Sequence, residues 1–445
     1  MSTIHYKDRL ILFETLRGDP LFTELSELLN ETENERRGEK VFKIFYKTQR
    51  TLVKNLSESC ITGNYLQDYL CRLIAREDNT FARMAEKGVF EKASFDPDES
   101  YALNLAAREI ELISPIYRFD FKNIIKDTGE INPAKFDSVN IAGKAADAGK
   151  AADAGKAAAK PLTIIHEALM QEFAMDAAAA LADYYRKYGC GNFGSAPALI
   201  AEDKGLVPVK NIDPIRMEDI VGCESQKRAL IENTEILLAG FSANNVLLYG
   251  DSGTGKSSSV KALLNMYSGK GLKMISIAKD KLFLLPDIFE KIEDRGMKFI
   301  IFIDDLSFEE NEFEFKAFKS IIEGRVAPKP KNAVFIVTTN RKNIVKDSWG
   351  DREGQDDVRR RDNMEEKRSL SDRFGITLIY STPDKKEYLN IVKSIAGKAD
   401  LKIPDDELEA EALKWEIRHG GRSGRTARQF VDHMAGVKAV CDGVK

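Results

Sequence analysis

One short run constrains this chain more than any other: Gly250-Asp251-Ser252-Gly253-Thr254-Gly255-Lys256-Ser257, which fits G-x-x-x-x-G-K-[ST]. It follows the apolar stretch VLLY and precedes the helical SSSVKALLNMY, the strand-to-helix context such a loop requires. The glycines let successive backbone N–H groups converge on phosphate oxygens, and the helix that opens at Lys256, Ser257 and Ser258 points its positive end at them. Lys256 is then placed to reach the β- and γ-phosphates, and the Ser257 hydroxyl to ligate Mg²⁺.

A nucleoside triphosphate site also needs an acid on a neighbouring strand. Phe299-Ile300-Ile301-Phe302-Ile303-Asp304-Asp305 supplies an apolar strand ending in two carboxylates, a Walker B pattern. Asp304 is assigned to Mg²⁺ and Asp305 to the water that attacks the γ-phosphate, with Glu309 and Glu310 as alternative carriers of the second role.

Around these motifs the texture divides the chain. From Arg9 to about Ile113 apolar residues recur at three and four, the helical period, so residues 1–140 read as a helical N-terminal domain. Residues 141–160 hold the repeat AGKAAD, AGKAAD, AGKAAAK, which has no large apolar side chain to bury and reads as a linker. A six-residue repeat cannot keep one face of a 3.6-residue helix against a core, which excludes a solenoid. Residues 161–207 read as an alanine-rich helix stopped at Gly189 and a connector. Residues 208–382 alternate short apolar runs with helical stretches, the pattern of a parallel sheet covered on both faces. Residues 383–445 return to helices alone, a lid in which Thr382 and Pro383 would open the first helix.

Composition excludes several classes. The chain has 445 residues, and its 67 Lys+Arg against 71 Asp+Glu give a net charge of −4, which opposes wholesale binding to a polyanion. Its five cysteines are scattered without a C-x-x-C pair, so neither a disulfide framework nor a zinc knuckle is expected, and the four histidines lack metal-ligand spacing. No apolar run reaches membrane-span length, and MSTIHYKDRLILFETLRG carries charges where a signal peptide is apolar. A cytoplasmic protein with no membrane partner is the expectation. The tract Tyr184-Tyr185-Arg186-Lys187-Tyr188 mixes aromatic and basic residues as single-strand binders do, but a packed helix end is the favoured reading.

With these motifs in hand the chain resembles the AAA+ ATPases. The strand Val334 to Thr339 ends in Asn340, where that superfamily places sensor 1. SLSDRFG resembles the arginine-finger region, with Arg373 presenting its cation to a neighbouring subunit's nucleotide. GRTARQF is similar to the sensor 2 helix start, with Arg428 favoured and Arg425 second, and MEDIVGC resembles the segment lining the base, through Ile220, Val221 and Gly222. From Tyr184 onward the match is closest to a bacterial family of AAA+ ATP-binding proteins of unassigned cellular role. The resemblance implies ATP and Mg²⁺ as cofactors, ATP and ADP as ligands, and a homo-oligomer with sites at subunit interfaces. Most AAA+ members carry Asp-Glu at Walker B, whereas Asp305 is one methylene shorter.

Where a threading translocase carries an aromatic-hydrophobic-glycine loop, this chain has Lys279 to Pro286, and Phe283 is expected to pack in the core. The leading expectation is therefore an ATPase driving a switch, loading or remodelling step on a protein or nucleic-acid partner. A nucleotide-gated binding protein with slow or no hydrolysis is the alternative, and a P-loop kinase or GTPase is disfavoured because no N-K-x-D motif occurs. The mixed-charge excursion Lys342 to Arg368 reads as a solvated loop.

Overall fold

A computed structural model describes residues 6–33, 39–55, 62, 64–92, 94–121, 153–209, 211–308, 313–322, 328–340 and 373–443. The chain forms two compact units: residues 1–197 with Arg295–Met297, and residues 198–294 with 298–445. Among the described residues no helix is long and apolar enough to cross a membrane.

The first unit is helical. Its main helices are α1 (Glu14–Gly18), α2 (Pro20–Glu33), α3 (Glu39–Lys54), α4 (Tyr65–Ala75), α5 (Thr80–Glu86), α6 (Pro97–Tyr117), α7 (Asp153–Leu169) and α8 (Ala174–Tyr188). Helical periodicity places Leu21, Leu25 and Leu28 of α2, Phe45 and Leu52 of α3, and Leu181 and Tyr185 of α8 in one core. The alanine-rich segment is two helices rather than one. The guanidinium of Arg118 donates to the carbonyls of Leu169 and Gln171 at 3.2 and 2.8 Å, satisfying the end of α7 before α8 begins. Gly189 ends α8 at a positive φ of 79°, at the stop its sequence position predicts.

The tract at the end of α8 is packed. Tyr184 and Tyr185 are buried, Tyr185 donates to the carbonyl of Ile74 at 2.7 Å, and Arg186 and Lys187 both pair with Asp183. Arg295 also belongs to this unit. Its guanidinium donates to Glu86 at 3.0 and 2.8 Å and to the Cys190 carbonyl at 2.8 Å, so a buried charge meets a buried partner.

The second unit is built on a sheet of seven strands in the order β2-β1-β4-β5-β6-β3-β7. The strands are β1 (Ala198–Glu202), β2 (Gly205–Pro208), β3 (Val246–Gly250), β4 (Leu272–Ser276), β5 (Lys298–Ile303), β6 (Ala333–Thr339) and β7 (Ile376–Tyr380). Every pairing is parallel except the β1–β2 hairpin. The sheet thus begins at Ala198, before the change of texture near Pro208: β1 and β2 are too short and too polar at their turn to stand out.

One face of the sheet is covered by α9 (Glu224–Leu238) and α10 (Lys256–Tyr267), whose Leu230, Leu237, Val260 and Leu264 pack on Val246, Leu248, Ile300 and Ile336. On the other face Phe289 of α11 (Leu285–Glu293) and Phe318 of α12 (Phe313–Ile322) meet Phe335 edge-on, with centroids 6.1 and 5.9 Å away. The lid is α13 (Lys385–Lys398), α14 (Asp405–Arg418) and α15 (Gly424–Gly443), which bury Tyr388, Val392, Ala412, Phe430 and Val431 together. The expected P-loop parallel sheet with a C-terminal helical lid and a mostly helical N-terminal part is the observed fold. The cap of α13 is Asp384, paired reciprocally with Glu387, and not Thr382, because the Thr382 hydroxyl is taken by Asp251 at 2.5 Å.

Candidate functional site

Strand order decides which side chains meet. Parallel strands deliver their following residues to one edge, and β6 lies between β3 and β5. The loop after β3, the acids after β5 and the residue after β6 therefore converge, with Asn340 in the middle.

The loop itself is shaped by glycine. Gly250, Gly253 and Gly255 hold φ values of 146°, 78° and 101°, a region side chains disfavour. At Gly250 the reason is also contact: a Cβ there would lie 1.9 Å from the Tyr380 carbonyl oxygen, where β7 pairs beside β3. Within the loop Thr254 donates to the Asp251 carbonyl at 2.8 Å.

Lys256 is buried, and its three ammonium donors go to the carbonyls of Gly250 and Asp251, both at 2.7 Å, and to Oδ1 of Asn340 at 2.9 Å. Burial lowers its pKa below the ordinary lysine value, Asp305, Asp251 and Asp304 pull it back up, and Arg425 adds repulsion. The other end of the Asn340 amide donates from Nδ2 to Asp305 Oδ1 at 2.6 Å. Ser257 donates to Asp304 Oδ1 at 2.6 Å, which brings together the two oxygens assigned to Mg²⁺. Asp304 and Asp305 are both exposed, and Asp305 has a left-handed backbone at φ 52°.

The donor set fits magnesium. A hydroxyl and a carboxylate are hard oxygen ligands, and Mg²⁺ characteristically takes one or two carboxylates with substrate phosphates rather than an all-protein cage. Among the described residues there is no cluster of three or more His, Cys, Asp or Glu that could hold a metal ion.

The segment Ile220 to Gly222 lies against the same loop. Ile220 is buried, and its Cγ2 lies 3.5 Å from where a Cβ on Gly255 would project; Val221 and Gly222 follow it at the entry to α9. Lys227 fixes this turn by donating to the Ile220 carbonyl at 2.7 Å. Asp219, in the turn just before, pairs with Lys398 at the end of α13, and the pair ties this segment to the lid. Burial works against the charge of Asp219, but Lys398 and the Arg216 N–H hold its pKa below the ordinary value.

The lid also touches the loop directly. The Gly424 N–H at the start of α15 donates to the Gly253 carbonyl at 3.0 Å. Both lid arginines are exposed; Arg425 stands beside the loop, its Cβ 3.2 Å from a notional Cβ on Gly253, and Arg428 lies one turn further along. Arg373 is exposed at the opposite end of β7 from Gly250 and Tyr380. A five-residue strand separates it from its own loop by roughly 17 Å. Ser369 to Asp372, Glu309, Glu310 and the Lys342 to Arg368 excursion lie outside the described residues.

Two features escaped the sequence. Thr338 lies inside the acid pair, donating to Asp304 Oδ1 at 2.5 Å and accepting from the Asp305 N–H at 2.8 Å; a threonine within an apolar strand carries no signal of such a role. Phe283 is the correction. It is 60% exposed rather than packed in the core, because the 3₁₀ turn Lys279–Leu284 directs Leu282 and then Leu285 inward and leaves Phe283 facing out. The Lys281 ammonium lies 6.0 Å from its ring centroid and pairs with Asp203 at 2.5 Å.

No curated protein matches the sequence. Among solved structures, the Thermotoga maritima RuvB Holliday junction branch migration motor is similar over 50% of this chain and 64% of its own, at 19% identity and a TM-score of 0.35. A proline-to-glycine variant of the same motor is similar over 52% of this chain and 68% of its own, at 20% identity and a TM-score of 0.38. The chain thus spans less than two thirds of the length of the first of these. Residues 196–438, more than half of the chain, match the family described as "Protein of unknown function (DUF815)", and this chain belongs to that family.

Proposed function

We propose that the chain is an ATPase that binds ATP with Mg²⁺ and hydrolyses it to drive a switch, loading or remodelling step on a macromolecular partner. The observation that carries the reading is the Asn340 amide, which joins Lys256 of the phosphate loop to Asp305 of the acid pair in one hydrogen-bonded line. A simple glycine-rich turn has no need of such a line.

In this reading the left-handed loop presents its N–H groups to the phosphates, and Lys256 exchanges its Asn340 contact for a phosphate oxygen. Ser257 and Asp304 would hold Mg²⁺, which when bound offsets charge on the β- and γ-phosphates. Asp305, released with Asn340, accepts a proton from the attacking water while the Asn340 amide orients it. Ile220, Val221 and Gly222 line the base, and Arg425, with Arg428 behind it, adds positive charge from the lid. Arg373 is too far from its own loop to act there, which supports its service to a neighbouring subunit and, with it, a homo-oligomer.

The short Asp305 keeps the slow-hydrolysing, nucleotide-gated binding protein as the rival reading. Phosphate release separates the two: turnover lost in Lys256→Ala supports the ATPase, and equal background release from wild type and variant leaves only binding. The exposed Phe283 supports one further reading, in which the Lys279–Leu284 turn grips a chain supplied by the partner.

A further inference from the structure

We infer that Thr338 is a positioning residue that sets both acids of the site; the inference rests on the reading of Asp304 and Asp305 given above. The ladder between β5 and β6 ends at Ile303 and Val337, so the two acids lie beyond the last paired residues and regular sheet geometry does not place them. What places them is the next residue of β6. The Thr338 hydroxyl has one proton and two lone pairs. The proton goes to Asp304 Oδ1 at 2.5 Å, and a lone pair receives the Asp305 N–H at 2.8 Å. The Thr338 carbonyl then accepts the Leu306 N–H at 2.8 Å.

One residue thus holds the side chain of the first acid, the main chain of the second and the main chain of the residue after it. Thr338 is 1% exposed, so solvent does not compete for its hydroxyl, and its β-branch restricts χ1. Asp305 needs the restraint, because at φ 52° its backbone is in a region that non-glycine residues occupy at a cost. Ser257 reaches the same Oδ1 of Asp304 at 2.6 Å, so Thr338 also orients the carboxylate that the metal-assigned hydroxyl meets.

Valine keeps the shape of this side chain and removes both hydrogen bonds; serine keeps the bonds and loses a methyl group. The test is calorimetry of ATP binding to the full chain in EDTA and in Mg²⁺, with steady-state phosphate release alongside. Binding in EDTA reads the phosphate loop, and the gain in affinity on adding Mg²⁺ reads the acid pair. For Thr338→Val we expect affinity in EDTA within about twofold of wild type, a Mg²⁺-dependent gain reduced about tenfold or more, and kcat reduced about 10²-fold, with KM for MgATP rising by about the factor lost in affinity. Thr338→Ser should restore both to within about threefold, a rescue that a packing role would not produce.

A Thr338→Val protein with the full wild-type Mg²⁺ gain overturns the inference and leaves the ATPase reading standing. A Thr338→Ser protein as impaired as a misfolded Thr338→Val also overturns it, since packing would then explain both. Wild-type protein that binds no ATP in either buffer overturns the ATPase reading, and the inference with it.

Discussion

Lys256 donates to Oδ1 of Asn340 at 2.9 Å, across 84 residues of sequence. With two carbonyls as its other acceptors, the ammonium has no spare donor, so reaching a phosphate requires it to give up one of the three, and Asn340, the longest of them, is the only side chain.

If the Asn340 amide both competes for Lys256 and orients the attacking water, as proposed, its removal should move binding and turnover in opposite directions. In Asn340→Ala, MgATP affinity should equal or exceed that of wild type while kcat falls about 10²-fold. Calorimetry and phosphate release on the same preparation decide it. A parallel loss of both would show that Asn340 simply holds the loop together.

Gly250 tests the packing of the loop. In Gly250→Ala the new Cβ meets backbone at 1.9 Å, and no rotamer change relieves it, so β7 must separate from β3. A loss of about 3 kcal/mol or more in the second unit's unfolding, with loss of nucleotide binding, is the expected result. Gly240→Ala is the control: φ is 87° there too, but nothing lies within 4 Å of the added Cβ, and about 1 kcal/mol is expected.

Arg373 and Asp305 should complement each other between subunits. Arg373→Ala and Asp305→Asn proteins should each lose at least 10²-fold in turnover. Mixed, they should regain activity, because some interfaces then pair an intact acid with an intact arginine. Turnover in Arg373→Ala close to wild type would remove the arginine from the chemistry.

Phe283 tests whether the proposed hydrolysis can be separated from partner contact. The turn that exposes it is outside the nucleotide site, so Phe283→Ala should leave basal phosphate release within about twofold while any stimulation by an unfolded protein or a single-stranded nucleic acid is lost. Stimulation that survives the change would assign partner contact elsewhere.

Glu77, in the first unit, should make stability depend on pH. It accepts the N–H groups of Thr15 and Leu16 at 3.2 and 3.0 Å, but burial outweighs them and pushes its pKa from 4.5 up to about 7. The native state then keeps a proton that the unfolded state has released between those values, so its contribution is fully present below pH 4.5 and is lost as pH rises through 7. The full effect is about 3 kcal/mol. Melting of the full chain at pH 5 and pH 8 should show a larger fall for wild type than for Glu77→Gln. Equal falls would mean that this carboxyl does not carry the dependence.

The sequence by itself determined the glycine-rich loop between strand and helix and the position of the acids. Glycine at 250, 253 and 255, lysine at 256 and two aspartates after an apolar strand are requirements of local backbone geometry and of local chemistry, so they are legible wherever they occur. Helical periodicity likewise determined the N-terminal helices and the lid. Tertiary structure alone decided the rest. That Thr338 clamps the acids follows from β6 pairing beside β5, and that Asn340 joins Lys256 to Asp305 follows from β6 lying between β3 and β5. Arg295 meets a carboxylate far upstream, and Phe283 faces outward because its neighbours fill the core. Each of these depends on which distant segments lie side by side, and a hydroxyl or a ring carries no trace of its partner in its own sequence neighbourhood.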